Sequence, residues 1–202
     1  MTTTILALAA AYLLGAVPFG FLLVRWKTGG DLRALGSGNI GATNVLRTTG
    51  RIQGLATLLL DIVKGYLAVW LAARLTGVSP LWTAAAALAV MAGHAFPVFL
   101  RFRGGRAVAC FLGAFLYLTP LPVLASLAVF LVVVARTRYI SLGSIVAAGC
   151  FPLSVWLIAH PPRPVIAGAL LGGAFVIWRH RDNIARLHAG AENVLSLGGP
   201  RS

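Results

Sequence analysis

Apolar residues run in long blocks along this chain, and polar ones gather in short segments between them. The blocks fall at residues 4–24, 52–75, 81–100, 107–135, 141–159 and 165–178. None alternates in steps of two, so the pattern predicts helices rather than the strands of a membrane barrel. Most match the roughly 20 residues that an α-helix needs to cross the hydrocarbon core of a bilayer. Pro18, followed by Gly20, predicts a kink in the first block. The block at 107–135 is long enough for one extended span, yet Thr119-Pro120-Leu121-Pro122 interrupts it and would leave two short helices.

Charge resolves that ambiguity. The chain has 202 residues, of which 59% are hydrophobic and 10% charged, against about 25% charged in soluble domains. With a mean hydropathy of +0.90, it reads as a polytopic membrane protein forming one bundle over residues 1–202. If 107–135 is a hairpin, there are seven spans. One side then collects Arg25, Lys27, Arg33, Arg47, Arg51, Arg101, Arg103, Arg106, Arg136, Arg138, Arg179, Arg181, Arg186 and Arg201 out of seventeen basic residues. A single span would place Arg136, Arg138 and the tail outside. The positive-inside rule therefore predicts an all-α bundle of seven transmembrane helices, with the N-terminus outside, the C-terminus cytoplasmic and short helices around Pro120 and Pro122. It also accounts for the net charge of +13. No basic tract carries interleaved aromatics, so no nucleic-acid partner is expected. The first block lacks the basic flank of a signal peptide and is expected to be retained. Cys110 and Cys150 lie within apolar blocks and are expected to be buried apolar residues.

Three polar segments, 33–51, 93–109 and 179–193, share the cytoplasmic face in this topology. In the first, Gly36-Ser37-Gly38-Asn39-Ile40-Gly41-Ala42-Thr43-Asn44 offers glycines for close backbone approach, the hydroxyls of Ser37 and Thr43, the amides of Asn39 and Asn44, and Arg47 just beyond. A phosphate-binding loop and a turn-rich linker both fit this composition. Its G-x-G-x-x-G spacing is not a dinucleotide fingerprint, because a membrane span rather than a strand precedes it. The second segment joins His94 to Gly104-Gly105-Arg106 before an apolar helix, whose N-terminus favours an anion. Its arginines would equally serve as a topology anchor, and His94 alone carries little weight. In the third, His180, Asn183 and Arg186 share a face if the segment is helical; a solvated interfacial helix is the alternative. Asp61 and Lys64 sit three apart in the second span, either as a pair that tolerates burial or as support for a site. With four acidic residues in all and no acidic cluster, no metal is expected.

Together the segments resemble the bacterial acyl-phosphate-dependent glycerol-3-phosphate acyltransferase family. The resemblance is carried by residues 36–47, by Gly93-His94-Ala95-Phe96-Pro97 with 99–105, and by His180-Arg181-Asp182-Asn183-Ile184-Ala185-Arg186-Leu187 with Gly190 and Glu192. Pro18-Phe19-Gly20 and Asp61-Ile62-Val63-Lys64-Gly65 add to it, so it spans essentially the whole chain. One departure stands out: where the family usually has Gly-Gly-Lys-Gly-Val-Ala, this chain has Gly104-Gly105-Arg106-Ala107-Val108-Ala109. Arginine keeps the charge but changes its size and geometry, and alanine removes backbone freedom.

The resemblance implies transfer of a fatty acyl group from acyl phosphate to the 1-hydroxyl of glycerol 3-phosphate, the first step of bacterial phospholipid synthesis. It implies no cofactor and an active site on the cytoplasmic side of the inner membrane. The expected catalytic residues are Ser37, Arg47, His94, Arg106, His180 and Asn183. Phosphate binding is expected from Ser37, Thr43, Asn44, Arg47, Arg106, His180 and Asn183, with Gly38, Asn39, Gly104 and Gly105 shaping the backbone, and with support from Asp61, Lys64 and Glu192. The expected partners are acyl phosphate, glycerol 3-phosphate and membrane lipid, with transient contact to the enzyme that makes acyl phosphate; the chain is expected to be a monomer. An organic-phosphate transporter would share the kinked spans and basic face. However, the sequence has no internal repeat, and its polar groups gather at one face rather than at the midplane.

Overall fold

Pro18 has no N–H to give to a helix, and the first apolar block breaks there in the computed structural model, which describes residues 1–195. Arg201, one of the predicted cytoplasmic basic residues, lies outside them. Helix α1 spans Thr2–Ala16 and α2 spans Phe19–Thr28, with Val17 extended between them. After a 3-10 turn at Leu32–Ala34 comes α3, Ala42–Thr48. The second half of the glycine-rich stretch is thus helical, and Thr43, Asn44 and Arg47 stand on a helix rather than in a loop.

The long α4, Arg51–Thr76, ends at the left-handed Gly77. Helix α5, Pro80–Ala95, opens on a proline in its first turn, where a missing N–H is harmless, and leads to a 3-10 turn at Val98–Leu100. The block 107–135 divides at Thr119, where the prolines interrupt it: α6 covers Val108–Leu118 and α7 covers Pro120–Thr137. Helix α8, Ile140–Ser154, contains Pro152 and continues as a π turn at Val155–Ala159. Helices α9, Arg163–Arg179, and α10, Arg181–His188, complete the order. Among the described residues there is no strand.

Among the described residues, five helical stretches are long and apolar enough to cross a membrane: Thr2–Thr28, Arg51–Thr76, Pro80–Leu100, Pro120–Thr137 and Ile140–Ala159. Helix α6 has 11 residues, a length of about 16 Å. Helix α9 has 17, the short end of what spans a bilayer.

In a lipid bilayer, helices associate through close backbone packing rather than hydrophobic burial, and small residues sit where these helices touch. A side chain at Gly93 of α5 would collide with the Tyr12 carbonyl of α1, and one at Gly113 of α6 with the Ile62 carbonyl of α4. Phe111, Phe115 and Phe151 fill the centre, with ring centroids 4.8–4.9 Å apart. Cys110 is buried there, as expected, but Cys150 is exposed on the outer face of α8.

Asp61 and Lys64 do more than neutralise each other. Lys64 Nζ lies 2.7 Å from Asp61 Oδ1 and donates at 2.8 Å to the Val17 carbonyl, which stands at the break beside Pro18 and also accepts from the Phe19 N–H. His94 Nδ1 of α5 stands 3.6 Å from the same carboxylate. This buried cluster ties α4 to the α1–α2 bend and to α5.

Removing one member of a buried pair costs about 3–5 kcal/mol, whereas replacing both with apolar groups is often close to neutral. Lys64→Met is therefore expected to lower the unfolding midpoint in detergent strongly, and adding Asp61→Leu to recover part of the loss. A double variant as unstable as the sum of the singles would contradict the coupling.

Candidate active site

The glycine-rich loop is braced from within. Buried Asn44 accepts a hydrogen bond from the Ser37 N–H at 3.0 Å and donates to the carbonyls of Leu35 at 3.0 Å and Asn39 at 2.8 Å. Asn39 Oδ1 accepts from the Gly41 N–H at 2.8 Å, and the Gly38 N–H goes to the Leu35 carbonyl. Gly36 and Gly38 hold φ of +57° and +69°, and any side chain on Gly36 would strike Asn44. The Asn44 amide is thus spent on loop shape, which revises its expected role as a phosphate ligand. Ser37 and Thr43 line the adjoining cavity.

In the second segment the Gly104 and Gly105 N–H groups donate to the carbonyls of Ala95 and His94, which fixes the turn against α5. A Cβ on Gly105 would meet the His94 imidazole: the glycine is there to let His94 pack beneath it. Of this segment, His94 and the run Arg106, Ala107, Val108 and Ala109 reach the cavity. Ala107 caps α6 with φ +62° and ψ 9°, a left-handed conformation that costs a non-glycine residue about 1–2 kcal/mol. The first N–H groups of α6 start just beyond it and lack helical partners. Burial, then nearby Arg186, lowers the pKa of Arg106 to about 10, so it keeps its charge at neutral pH.

The third segment is helical, and its polar face is organised by Glu192. One carboxylate oxygen accepts from Asn183 Nδ2 at 2.7 Å and Ser141 Oγ at 2.9 Å; the other accepts from Arg186 Nε at 2.8 Å. Burial acts to raise the Glu192 pKa, but these hydrogen bonds outweigh it and hold the group below the usual range. Arg47 Nη2 donates to the neighbouring Asn193 carbonyl at 3.2 Å. His180 Nδ1 is 2.8 Å from the Val176 carbonyl. A carbonyl only accepts, so Nδ1 carries the proton, and Nε2 of the neutral ring is an acceptor. Burial lowers the His180 pKa to about 4, and Arg106 adds to the effect.

One cavity of about 450 Å³ gathers these pieces. Its polar lining includes Ser37, Asn39, Thr43, Asn44, Arg47, Asp61, His94, Arg106, His180, Asn183 and Glu192; its apolar lining includes Leu58, Phe111, Leu112, Leu127, Phe130, Ala148 and Val176. Gly38, Lys64, Gly104 and Gly105 stand behind that lining and shape it. Arg33, beside the loop in sequence, pairs instead with Asp31 at 2.6 Å. Sequence reasoning missed Ser141, Arg51 and Asn193, which also line the cavity. A serine opening a helix and an arginine ending a loop carry no distinguishing signal.

A cavity lined both by cations and hydroxyls and by apolar side chains defines a membrane enzyme that handles a phosphorylated, lipid-like substrate. The comparisons give the class its family. Residues 5–190 match the glycerol-3-phosphate acyltransferase family. The chain is 50% identical over 194 residues to the glycerol-3-phosphate acyltransferase of Geobacter sulfurreducens, covering 96% of this chain and 98% of that one. It is 52% identical over 193 residues to that of Geobacter metallireducens, with the same coverage. Among solved structures it is similar to the glycerol 3-phosphate form of PlsY, an integral membrane glycerol 3-phosphate acyltransferase, with a TM-score of 0.90, 37% identity and 96% coverage of both chains. The lysophosphatidic acid form of PlsY gives a TM-score of 0.88 at 36% identity, covering 96% of this chain and 95% of that one. The chain belongs to the glycerol-3-phosphate acyltransferase family.

The His180 environment predicts a pH signature. Its folded pKa lies below the roughly 6.5 of an unfolded chain, so on acidification the unfolded state binds the proton first. The stability that neutral His180 contributes is complete above about pH 6.5 and is lost as pH falls towards about 4. Over that window the unfolding midpoint of the wild type in detergent is expected to fall more steeply than that of His180→Gln. Parallel slopes would contradict the assignment.

Proposed function

We propose that this chain transfers a fatty acyl group from acyl phosphate to the 1-hydroxyl of glycerol 3-phosphate, releasing lysophosphatidic acid and inorganic phosphate. The observation that carries the proposal is one cavity lined both by Arg47, Arg106 and Arg186 and by apolar side chains such as Leu58, Phe111, Leu112 and Phe130. The cations suit two phosphates; the apolar side chains suit an acyl chain. The single domain is oriented with segments 33–51, 93–109 and 179–193 at the cytoplasmic side of a bacterial inner membrane. Helices α6 and α9 join the five longer stretches to make seven spans, and the chain works as a monomer. The acyl-phosphate-forming enzyme delivers its product by transient contact.

Acyl phosphate is a mixed anhydride whose phosphate is already a good leaving group. The protein mainly has to neutralise two phosphates and align a hydroxyl with the carbonyl. Arg47 and Arg106, with the Ser37 and Thr43 hydroxyls, take the phosphates. His180 and Asn183 take a different role from the one first expected. The Asn183 amide is oriented by Glu192 so that Oδ1, buried and without a partner among the described residues, is the atom left over. His180 leaves Nε2. Both are acceptors, which suit a glycerol hydroxyl rather than a phosphate oxygen. In the reaction the hydroxyl oxygen bonds to the acyl carbon, the bond from that carbon to the phosphate oxygen breaks, and a phosphate oxygen of the substrates takes the hydroxyl proton. His94, packed under Gly105 and against Asp61, supports the site from below.

Ser37→Ala, Arg47→Ala and Asn183→Ala are each expected to lose most lysophosphatidic acid formation while still inserting as folded protein. Normal turnover in all three would sink the assignment.

A further inference from the structure

We infer that Arg179 is a positioning residue that sets the aim of Arg106, an inference that rests on the proposed contact between Arg106 and substrate phosphate. Arg179 ends α9 and does not line the cavity. Its guanidinium points at the Gly104–Gly105 turn instead. Nε donates to the Gly105 carbonyl at 3.2 Å, and Nη2 donates to the carbonyls of Gly105 at 2.9 Å and Gly104 at 3.4 Å. The same group lies 5.1 Å from the Phe96 ring centroid and 5.7 Å from that of Trp178, so aromatic faces hold it in place.

The consequence follows from peptide geometry. The N–H groups of the two glycines are already held by α5 through the His94 and Ala95 carbonyls. Arg179 holds their carbonyls from α9, so every backbone polar group of the turn is fixed from one side or the other. The Gly105 carbonyl shares a rigid plane with the Arg106 nitrogen. Fixing that plane fixes where the Arg106 Cα stands and leaves only rotation about its N–Cα bond to set how the side chain departs. The two arginines repel, so charge is not what Arg179 contributes; its value is the planar fork that reaches two carbonyls at once while packed against rings. Lysine, a single charged centre, cannot reproduce that. Without the fork, the turn keeps its glycine freedom and Arg106 loses its register with the phosphate.

The test is a double-mutant cycle on purified protein in detergent, with glycerol 3-phosphate varied at saturating palmitoyl phosphate. Arg179→Ala and Arg179→Lys are each expected to lower kcat/KM by about 10- to 100-fold, the range a misplacement on the order of 1 Å produces, chiefly through a raised KM. Arg106→Ala is expected to lose at least as much, and Arg106→Ala with Arg179→Ala to be no worse than Arg106→Ala alone. Unfolding midpoints of all variants, recorded in parallel, separate lost aim from lost fold: Arg179→Lys should keep the wild-type midpoint yet still lose activity. Losses that multiply in the double variant, or full activity in Arg179→Lys, would overturn the positioning role while leaving the reading of Arg106 intact. Full activity in Arg106→Ala would overturn that reading, and this inference with it.

Discussion

A buried ammonium holds this bundle to its site. A proline kink in a membrane helix bares a carbonyl, and a bare carbonyl in hydrocarbon costs several kcal/mol. Lys64 meets the Val17 carbonyl and Asp61 together, so one side chain ties the kink to the carboxylate of α4. Asp61 in turn faces His94, and the His94 ring fills the space that the missing Gly105 side chain leaves. Gly105 passes directly to Arg106. The path from Lys64 to a cation at the cavity runs through five residues, joined by three contacts and one peptide bond.

The same economy recurs in the polar lining. Asn44 and Glu192, each buried, orient the groups around them by occupying several donors or acceptors at once. The remaining atoms keep fixed identities: hydroxyls and guanidinium groups where phosphate charge must be neutralised, bare acceptors at His180 and Asn183 where a hydroxyl is to be held. Electrostatic stabilisation is most effective when the dipoles need not reorganise during reaction. Braced loops on a helical frame provide that condition without a metal ion taking part in the proposed steps.

Much of the frame was legible in the sequence because bilayers leave few options. Continuous apolar blocks could only be helices, and Thr119-Pro120-Leu121-Pro122 marked where the longest one divides. The candidate residues were legible chiefly because three segments matched one family together. What stayed hidden was the direction of hydrogen bonds. Nothing in Gly104-Gly105 says that its N–H groups face α5, and nothing in Asn44 says that its amide turns inward. Both depend on contacts between residues far apart or on opposite ends of a loop. The helix α3 was masked by its glycine-rich start, and Cys150 by a block in which the lipid-facing and inward faces are equally apolar.

The central claim is that one cavity joins two phosphates to an acyl chain, with acyl phosphate as donor. The most direct measurement gives purified protein palmitoyl phosphate and glycerol 3-phosphate, with palmitoyl-CoA replacing the donor in a parallel reaction, and follows phosphate and lysophosphatidic acid together. Both products should appear in equal amounts, their formation should require both substrates, and neither should appear with palmitoyl-CoA. Lysophosphatidic acid formed from palmitoyl-CoA, or phosphate released without glycerol 3-phosphate, would contradict it.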